Sequence, residues 1–350
     1  MSSIDSHGAP ALTPRQEEVL RVVVERHISS GQPVGSKHIA GQGGLDWASS
    51  TIRNELHRLE DMGYLNHPHT SAGRVPTEVG YRYYVDQLLP RGPLPAPGAD
   101  LRRTLGTDLA RVEVDQTLRR LADTISEVTD LLGVVTGPPV ASATVRHVEV
   151  LLLQPQLVTV VVITSTGDVT KRLFAFDRPV DPGLADWAAA FLNERVQGLP
   201  AGARSVAARL ADPSLGSMEQ AFIDAIAPAL MDFQEDRAVY VSGQARVLTD
   251  ERRREISEID GLMRALEERY ALLAVLRGAL DGSRTYLRIG SELPSDLSGV
   301  SIVAAGYGPP RGNLGAVSLI GPVRMDYALA IATVREASRA LSAYVEDVYG

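Results

Sequence analysis

Apolar positions recur along the chain at two periods, and where each period holds predicts the elements. Thr13-Pro14-Arg15-Gln16 places a capping hydroxyl, a proline at the first helical position and a glutamine able to close a capping box. The spacing of Val19, Leu20, Val23 and Val24 then predicts a helix to about Ser29, ended by Gly31-Gln32-Pro33. A short second helix is expected near Ser36–Gly41, with Gly43-Gly44 as the turn after it. The third begins at Ser49, Ser50 or Thr51 and stops at Gly63, its apolar residues Ile52, Leu56, Leu59 and Met62 spaced 4, 3 and 3 along one face. Tyr64–His69 reads as a strand, Ser71-Ala72-Gly73 as a turn and Arg74-Val75 as the returning strand, after which Thr77 caps a helix to about Leu89. Three helices followed by a hairpin is the order of a winged helix-turn-helix.

Four prolines and two glycines in residues 90–98 mark a linker. Beyond it, Leu118, Leu121, Ile125, Val128 and Leu132 predict a long amphipathic helix. Three β-branched runs follow, Val145–Leu153, Leu157–Ile163 and Val169–Phe176, the last two joined by a turn at Thr166-Gly167-Asp168. At Asp181 the composition turns helical and alanine-rich, to about Asp236. A strand over Ala238–Val241, a helix from Thr249 to about Gly278, strands near Val300–Ala304 and Ala316–Ile320 and a helix from Asp326 to about Val348 complete the chain. Strands on both sides of a helical stretch predict an α+β domain interrupted by an inserted helical one.

Composition narrows the chemistry. The 350 residues are 44% hydrophobic and 22% charged, an ordinary globular balance that sets wholesale disorder aside. The opening residues carry no secretory pattern, no apolar run is long enough for a membrane span, and there is no cysteine, so a cytoplasmic protein is expected. Without cysteine there are no disulfides, thiol nucleophiles or Cys-ligated metals. One histidine, His147, follows the linker, there is no His-Glu-x-x-His or Gly-x-Ser-x-Gly, and the glycine-rich Gly306–Gly315 lacks the Gly-Lys-Ser/Thr ending of a P-loop. An enzyme and a cofactor are therefore not expected. His67-Pro68-His69 has no third ligand nearby, so neither is a metal.

The net charge of −8 argues against a nucleic-acid partner, since phosphates are neutralised by Lys and Arg. Placement argues the other way. On the third helix Ser50, Arg53, Asn54 and His57 share the face opposite Ile52, Leu56 and Leu59, with Arg58 on the flank, Glu55 and Glu60 turned aside, and Asp61 on the polar face at its far end. Ser49, Ser50 and Thr51 at its start, with Ser36 and Lys37 on the short second helix, can meet phosphate, and Arg53 and Asn54 can read base edges. From Gly63 to Pro76 there is no acid, and Arg74, His67 and His69 are the cationic or potentially cationic groups; a wing carrying them beside Ser71 is expected to grip DNA backbone. A solvated polar face is the plain alternative. Tyr81, Tyr83 and Tyr84 are expected to pack within the domain.

Thr51-Ile52-Arg53-Asn54-Glu55-Leu56, Leu59–Leu65, Pro68–Thr77 and Gly80-Tyr81-Arg82-Tyr83-Tyr84-Val85-Asp86 resemble the heat-inducible transcription repressor family HrcA, and Gly315–Tyr327 resembles that family's C-terminal signature. The resemblance implies a winged-helix domain (1–89), a linker (90–98), a GAF-like domain in two parts (99–180 and 237–350) and a dimerisation domain inserted between them (181–236). It further implies a homodimer that represses chaperone operons by binding an inverted repeat called CIRCE in double-stranded DNA, kept active by a GroEL-type chaperonin, with no small-molecule ligand. Ser291-Glu292-Leu293-Pro294 departs from a Glu-Asn pair usual there. A ligand sensor acting through the GAF-like pocket is the second reading.

Overall fold

The computed structural model describes residues 12–40, 47–68, 73–96, 114–137, 144–165, 167, 169–200, 204–212, 214–231, 238–247, 259–267, 269–280, 285–308 and 313–349. The chain is mixed α+β and divides into two compact units, Met1–Val135 with Tyr240–Tyr344, and Thr136–Val239 with Val345–Gly350. No helix among the described residues is long and apolar enough to cross a membrane.

The first unit begins with α1 (Pro14–Ser30), whose end forms as its local sequence dictates: Gln16 N–H donates to the Thr13 hydroxyl and Thr13 N–H donates to the Gln16 side chain at 2.9 Å. Val19, Leu20, Val23 and Val24 are fully buried. Next come α2 (Ser36–Ile39) and α3 (Ser49–Asp61), which buries Ile52, Leu56 and Leu59 at the predicted positions. Strands β1 (Leu65–Asn66) and β2 (Val75–Pro76) pair antiparallel, Leu65 opposite Pro76. Helix α4 (Glu78–Tyr83) starts at the Thr77 hydroxyl, which accepts from Gly80 N–H, and continues through a π-helical turn over Tyr84–Leu88. Tyr81 and Tyr84 are buried, as the packing expectation requires.

A five-stranded sheet completes this unit, built from β3 (Leu132–Thr136), β7 (Val239–Ser242), β8 (Tyr286–Ile289), β9 (Val300–Tyr307) and β10 (Gly315–Pro322) in the order β7-β3-β10-β9-β8. Strand β10 pairs antiparallel with both β3 and β9. Every residue of β10 is buried, the mark of a central strand covered on both faces. The helix Val114–Thr129 packs on β10, and the helix Arg269–Leu280 packs on β9 and β10. In the last helix (Tyr327–Tyr349), Ser338 and Ser342 tie to the end of β9 and Gly308.

The second unit holds strands and helices together. Strands β4 (Val145–Gln154), β5 (Leu157–Thr164) and β6 (Val169–Ala175) form at the predicted runs but make their own antiparallel sheet, apart from the five-stranded one. Val148, Val150, Val158, Val160 and Val162 close a core with Ala188 and Leu192 of the helix Pro182–Val196 and with Phe222, Ile223 and Ile226 of the helix Ser217–Ile226. The change of composition at Asp181 is a passage from strand to helix inside this unit of Thr136–Val239 and Val345–Gly350. The opposite face of the sheet keeps Leu151, Leu153, Val169 and Leu173 exposed.

Candidate nucleic-acid interface

Amphipathic burial fixes the direction of α3. With Ile52, Leu56 and Leu59 inward, Ser50, Arg53, Asn54, His57 and Arg58 are exposed on the other side. Two of the three acids of the helix go elsewhere: Glu55 is 5% exposed and Glu60 faces the hairpin, while Asp61 is exposed at the far end of the polar face. The side chains of Arg53 and Asn54 form no hydrogen bond or ion pair with any described residue, so their donors and acceptors are available to a partner. Arg58 lies 3.5 Å from Glu55, a long contact that leaves the guanidinium two-thirds exposed.

The start of α3 is open. Its cap position is Ala48, which has no side chain to bond the first-turn amides, and the first helical bond runs from Ile52 N–H to Ala48 C=O. The hydroxyls of Ser49, Ser50 and Thr51 lie inside the first turn. Ser50 is exposed, Thr51 is half-buried, and Ser49 donates to the Ser36 hydroxyl at 3.2 Å, joining α3 to α2. Lys37 stands exposed on α2 beside that junction. Unpaired helix N-terminal amides with the positive end of the helix dipole favour an anion. Arg15 lies over the Trp47 ring at 5.2 Å, just before α3. Sequence reading missed this pair, which no periodicity reports.

The hairpin departs from expectation. Arg74 is 8% exposed and points inward. Its Nη2 lies 2.8 Å from Glu60 Oε2 and donates to His57 Nδ1 at 3.3 Å. Because a guanidinium can only donate, this contact makes His57 Nδ1 an acceptor and leaves the neutral ring's proton on Nε2. The backbone causes the burial: Arg74 and Val34 exchange N–H···O=C bonds of 2.8 and 2.9 Å, a bridge that turns the side chain under α3. A Cβ on Gly73 would meet the Val34 carbonyl carbon at 2.4 Å, so the bridge requires glycine there. Arg74 thus lies between the hairpin and α3, paired with Glu60, rather than exposed on the hairpin surface. His67 is half-buried, its Nδ1 4.0 Å from Glu60. His69 and Ser71 lie outside the described residues, which hold no cluster of three His, Cys, Asp or Glu able to bind a metal.

Residues 115–331 match the family model described as HrcA protein C terminal domain. The chain is 35% identical over 347 residues to the heat-inducible transcription repressor HrcA of Parafrankia sp. (strain EAN1pec), covering 97% of this chain and 99% of the relative. It is 37% identical over 337 residues to the repressor of the same name from Arthrobacter sp. (strain FB24), covering 94% and 98%. A crystal structure of a hypothetical protein at 2.2 Å resolution shares the fold, with a TM-score of 0.64, 21% identity and coverage of 97% of this chain and 100% of that one.

Proposed function

The chain belongs to the HrcA family of heat-inducible transcription repressors, and on that premise we propose that it represses chaperone operons by inserting α3 into the major groove of an inverted-repeat, CIRCE-type operator. Residues 1–89 act as a winged helix-turn-helix, and the five-stranded part as a GAF-like scaffold. The observation that carries the reading is the exposed face of α3, where the side chains of Arg53 and Asn54 stand without partners among the described residues while Glu55 and Glu60 turn away and Asp61 lies at the far end. Arg pairs with guanine and Asn with adenine edges, and the open first turn takes a phosphate.

An inverted repeat calls for two copies. The unit Thr136–Val239 supplies a surface for pairing: Leu151 and Leu173 lie opposite one another across Thr159, with Leu153 and Val169 also exposed. An apolar sheet face of this kind is costly to leave in water, and we assign the homodimer contact to it. The operator-bound dimer acts in the cytoplasm, and a GroEL-type chaperonin keeps it competent until heat diverts the chaperonin to unfolded chains.

A footprint on the promoter of a chaperonin operon, with and without purified chaperonin, tests this. Protection of both half-sites, strengthened by chaperonin and lost in Arg53→Ala, is expected. No protection of an inverted repeat by the wild-type chain overturns it.

A further inference from the structure

Helix α4 meets the five-stranded part of the same unit at two consecutive turns. Glu78 accepts from Ser291 N–H at 2.9 Å and from the Ser291 hydroxyl at 2.6 Å. One turn later Arg82 Nε donates to Glu292 Oε1 at 2.7 Å, while Nη2 donates to Glu292 Oε2 and to Leu287 C=O. Glu292 is itself held, accepting from Ile289 N–H at 3.1 Å. Gly290 stands at the contact with φ +53, a conformation that favours glycine, and a Cβ there would lie 2.2 Å from the Glu78 carboxyl. Two further contacts flank the pair. Arg324 donates to Ile28 C=O at 2.9 Å, and the Tyr81 ring packs on Tyr327 with centroids 5.8 Å apart.

The other side of α4 is joined to the end of α3. Thr77 N–H donates to Tyr64 C=O, the Thr77 hydroxyl donates to Gly63 C=O at 2.6 Å, and Gly80 packs so closely that a Cβ would fall 2.2 Å from the Tyr64 oxygen. A short chain of direct contacts therefore runs from Ser291-Glu292 through α4 to Gly63-Tyr64, two residues beyond α3.

We infer that Glu78, Arg82, Ser291 and Glu292 form a lock that fixes the direction of α3 against the five-stranded sheet, making these four positioning residues for operator recognition. The inference rests on the reading that two copies of α3 enter one inverted repeat. Reading heads held rigidly accept one spacing of half-sites. Loosely tethered heads accept several, each at lower affinity, because their ordering is then done at binding.

The test uses the full chain and synthetic operators with the natural spacer or one changed by two base pairs. Arg82→Gln and Glu292→Gln are each expected to weaken binding to the natural operator by about tenfold and to flatten the preference for natural over altered spacing. The double variant should be no worse than either single one, because both remove the same contact. Additive losses, or an unchanged spacing preference in a variant that melts like wild type, overturn the inference. Should Arg82→Gln melt early, Ser291→Ala, which removes one hydroxyl, carries the same spacing test.

A DNA-free measurement separates failure of the lock from failure of the repressor reading. The chain has no cysteine, so Asp61→Cys with Arg339→Cys accepts two spin labels selectively. Labelled chains diluted into unlabelled ones should give one narrow distance, which broadens in Arg82→Gln. An equally narrow distance in Arg82→Gln overturns the lock even if no operator is bound.

Discussion

Arg53 and Arg74 both lie in the N-terminal part of the chain, both on elements expected to touch DNA, and the structure treats them oppositely. Arg53 projects from a helix whose other face is packed, so its guanidinium meets solvent. Arg74 sits where the hairpin bridges Val34, and the same backbone bonds that make the bridge send its side chain beneath α3 to Glu60. A helix with one buried stripe exposes whatever lies opposite that stripe. A two-residue strand exposes or buries according to its neighbours. The charge of a residue is therefore a weaker guide to contact with phosphate than the element that carries it.

The strongest way to break this contrast is to remove the acid under the hairpin. Glu60→Ala leaves Arg74 buried without its counter-charge and should cost about 3 kcal/mol of stability, read as a shift of the denaturant midpoint, whereas Arg53→Ala should stay within about 0.5 kcal/mol. If both variants unfold at the wild-type midpoint, the brace is absent. In operator binding the order reverses. Arg53→Ala should lose about 1–3 kcal/mol and relax base choice at one position of each half-site, measured by titration against operators varied base by base. Lys37→Ala, beside the open turn of α3, sharpens the distinction between reading and gripping. It should weaken binding evenly across sequences and reduce the salt slope by about 1, while Arg74→Gln leaves that slope unchanged.

The smallest effect belongs to the exposed counterpart of the brace. Glu17 accepts from Arg91 at 2.6 Å and from the Tyr83 hydroxyl at 2.8 Å. The hydrogen bond from Arg91 holds the Glu17 carboxyl below its ordinary range, against the opposing pull of desolvation. A carboxylate whose folded pKa is depressed contributes stability that is present above its unfolded pKa, about 4.3, and is lost as pH falls through the lower folded value. Glu17→Gln should accordingly lose less stability than wild type on acidification below that point, in melts taken across the acid range. Identical acid limbs would show the pair to be without weight.

The features legible in the sequence are those that local chemistry decides. The cap at Thr13 needs three neighbours, and the inward face of α3 needs the spacing of Ile52, Leu56 and Leu59; both formed as read. The central strands β9 and β10 formed at the expected Val300–Ala304 and Ala316–Ile320, stretches apolar but for Ser301 and Ser318. What stayed hidden depends on meetings between distant residues. Nothing near Arg82 in sequence points to Glu292, 210 residues away, and nothing near Val145–Phe176 reveals that these strands leave the larger sheet to the others. The net charge of −8 misled for a related reason. It sums over the whole chain, whereas an interface is decided by a few side chains such as Glu55 and Glu60 turning inward.

The uncapped start of α3 links the order of that turn to its surroundings. In a helix of thirteen residues, a first turn whose amides lack side-chain partners is the segment that frays at least cost. An anion seated there supplies the missing acceptors, so occupancy and local order rise together, each a measure of the other. Warming pulls on the same equilibrium from the opposite side, loosening the turn before the apolar stripe beneath it gives way. Amide exchange at Ser49, Ser50 and Thr51 would then serve as a built-in gauge, slowing as the site fills and quickening as temperature rises.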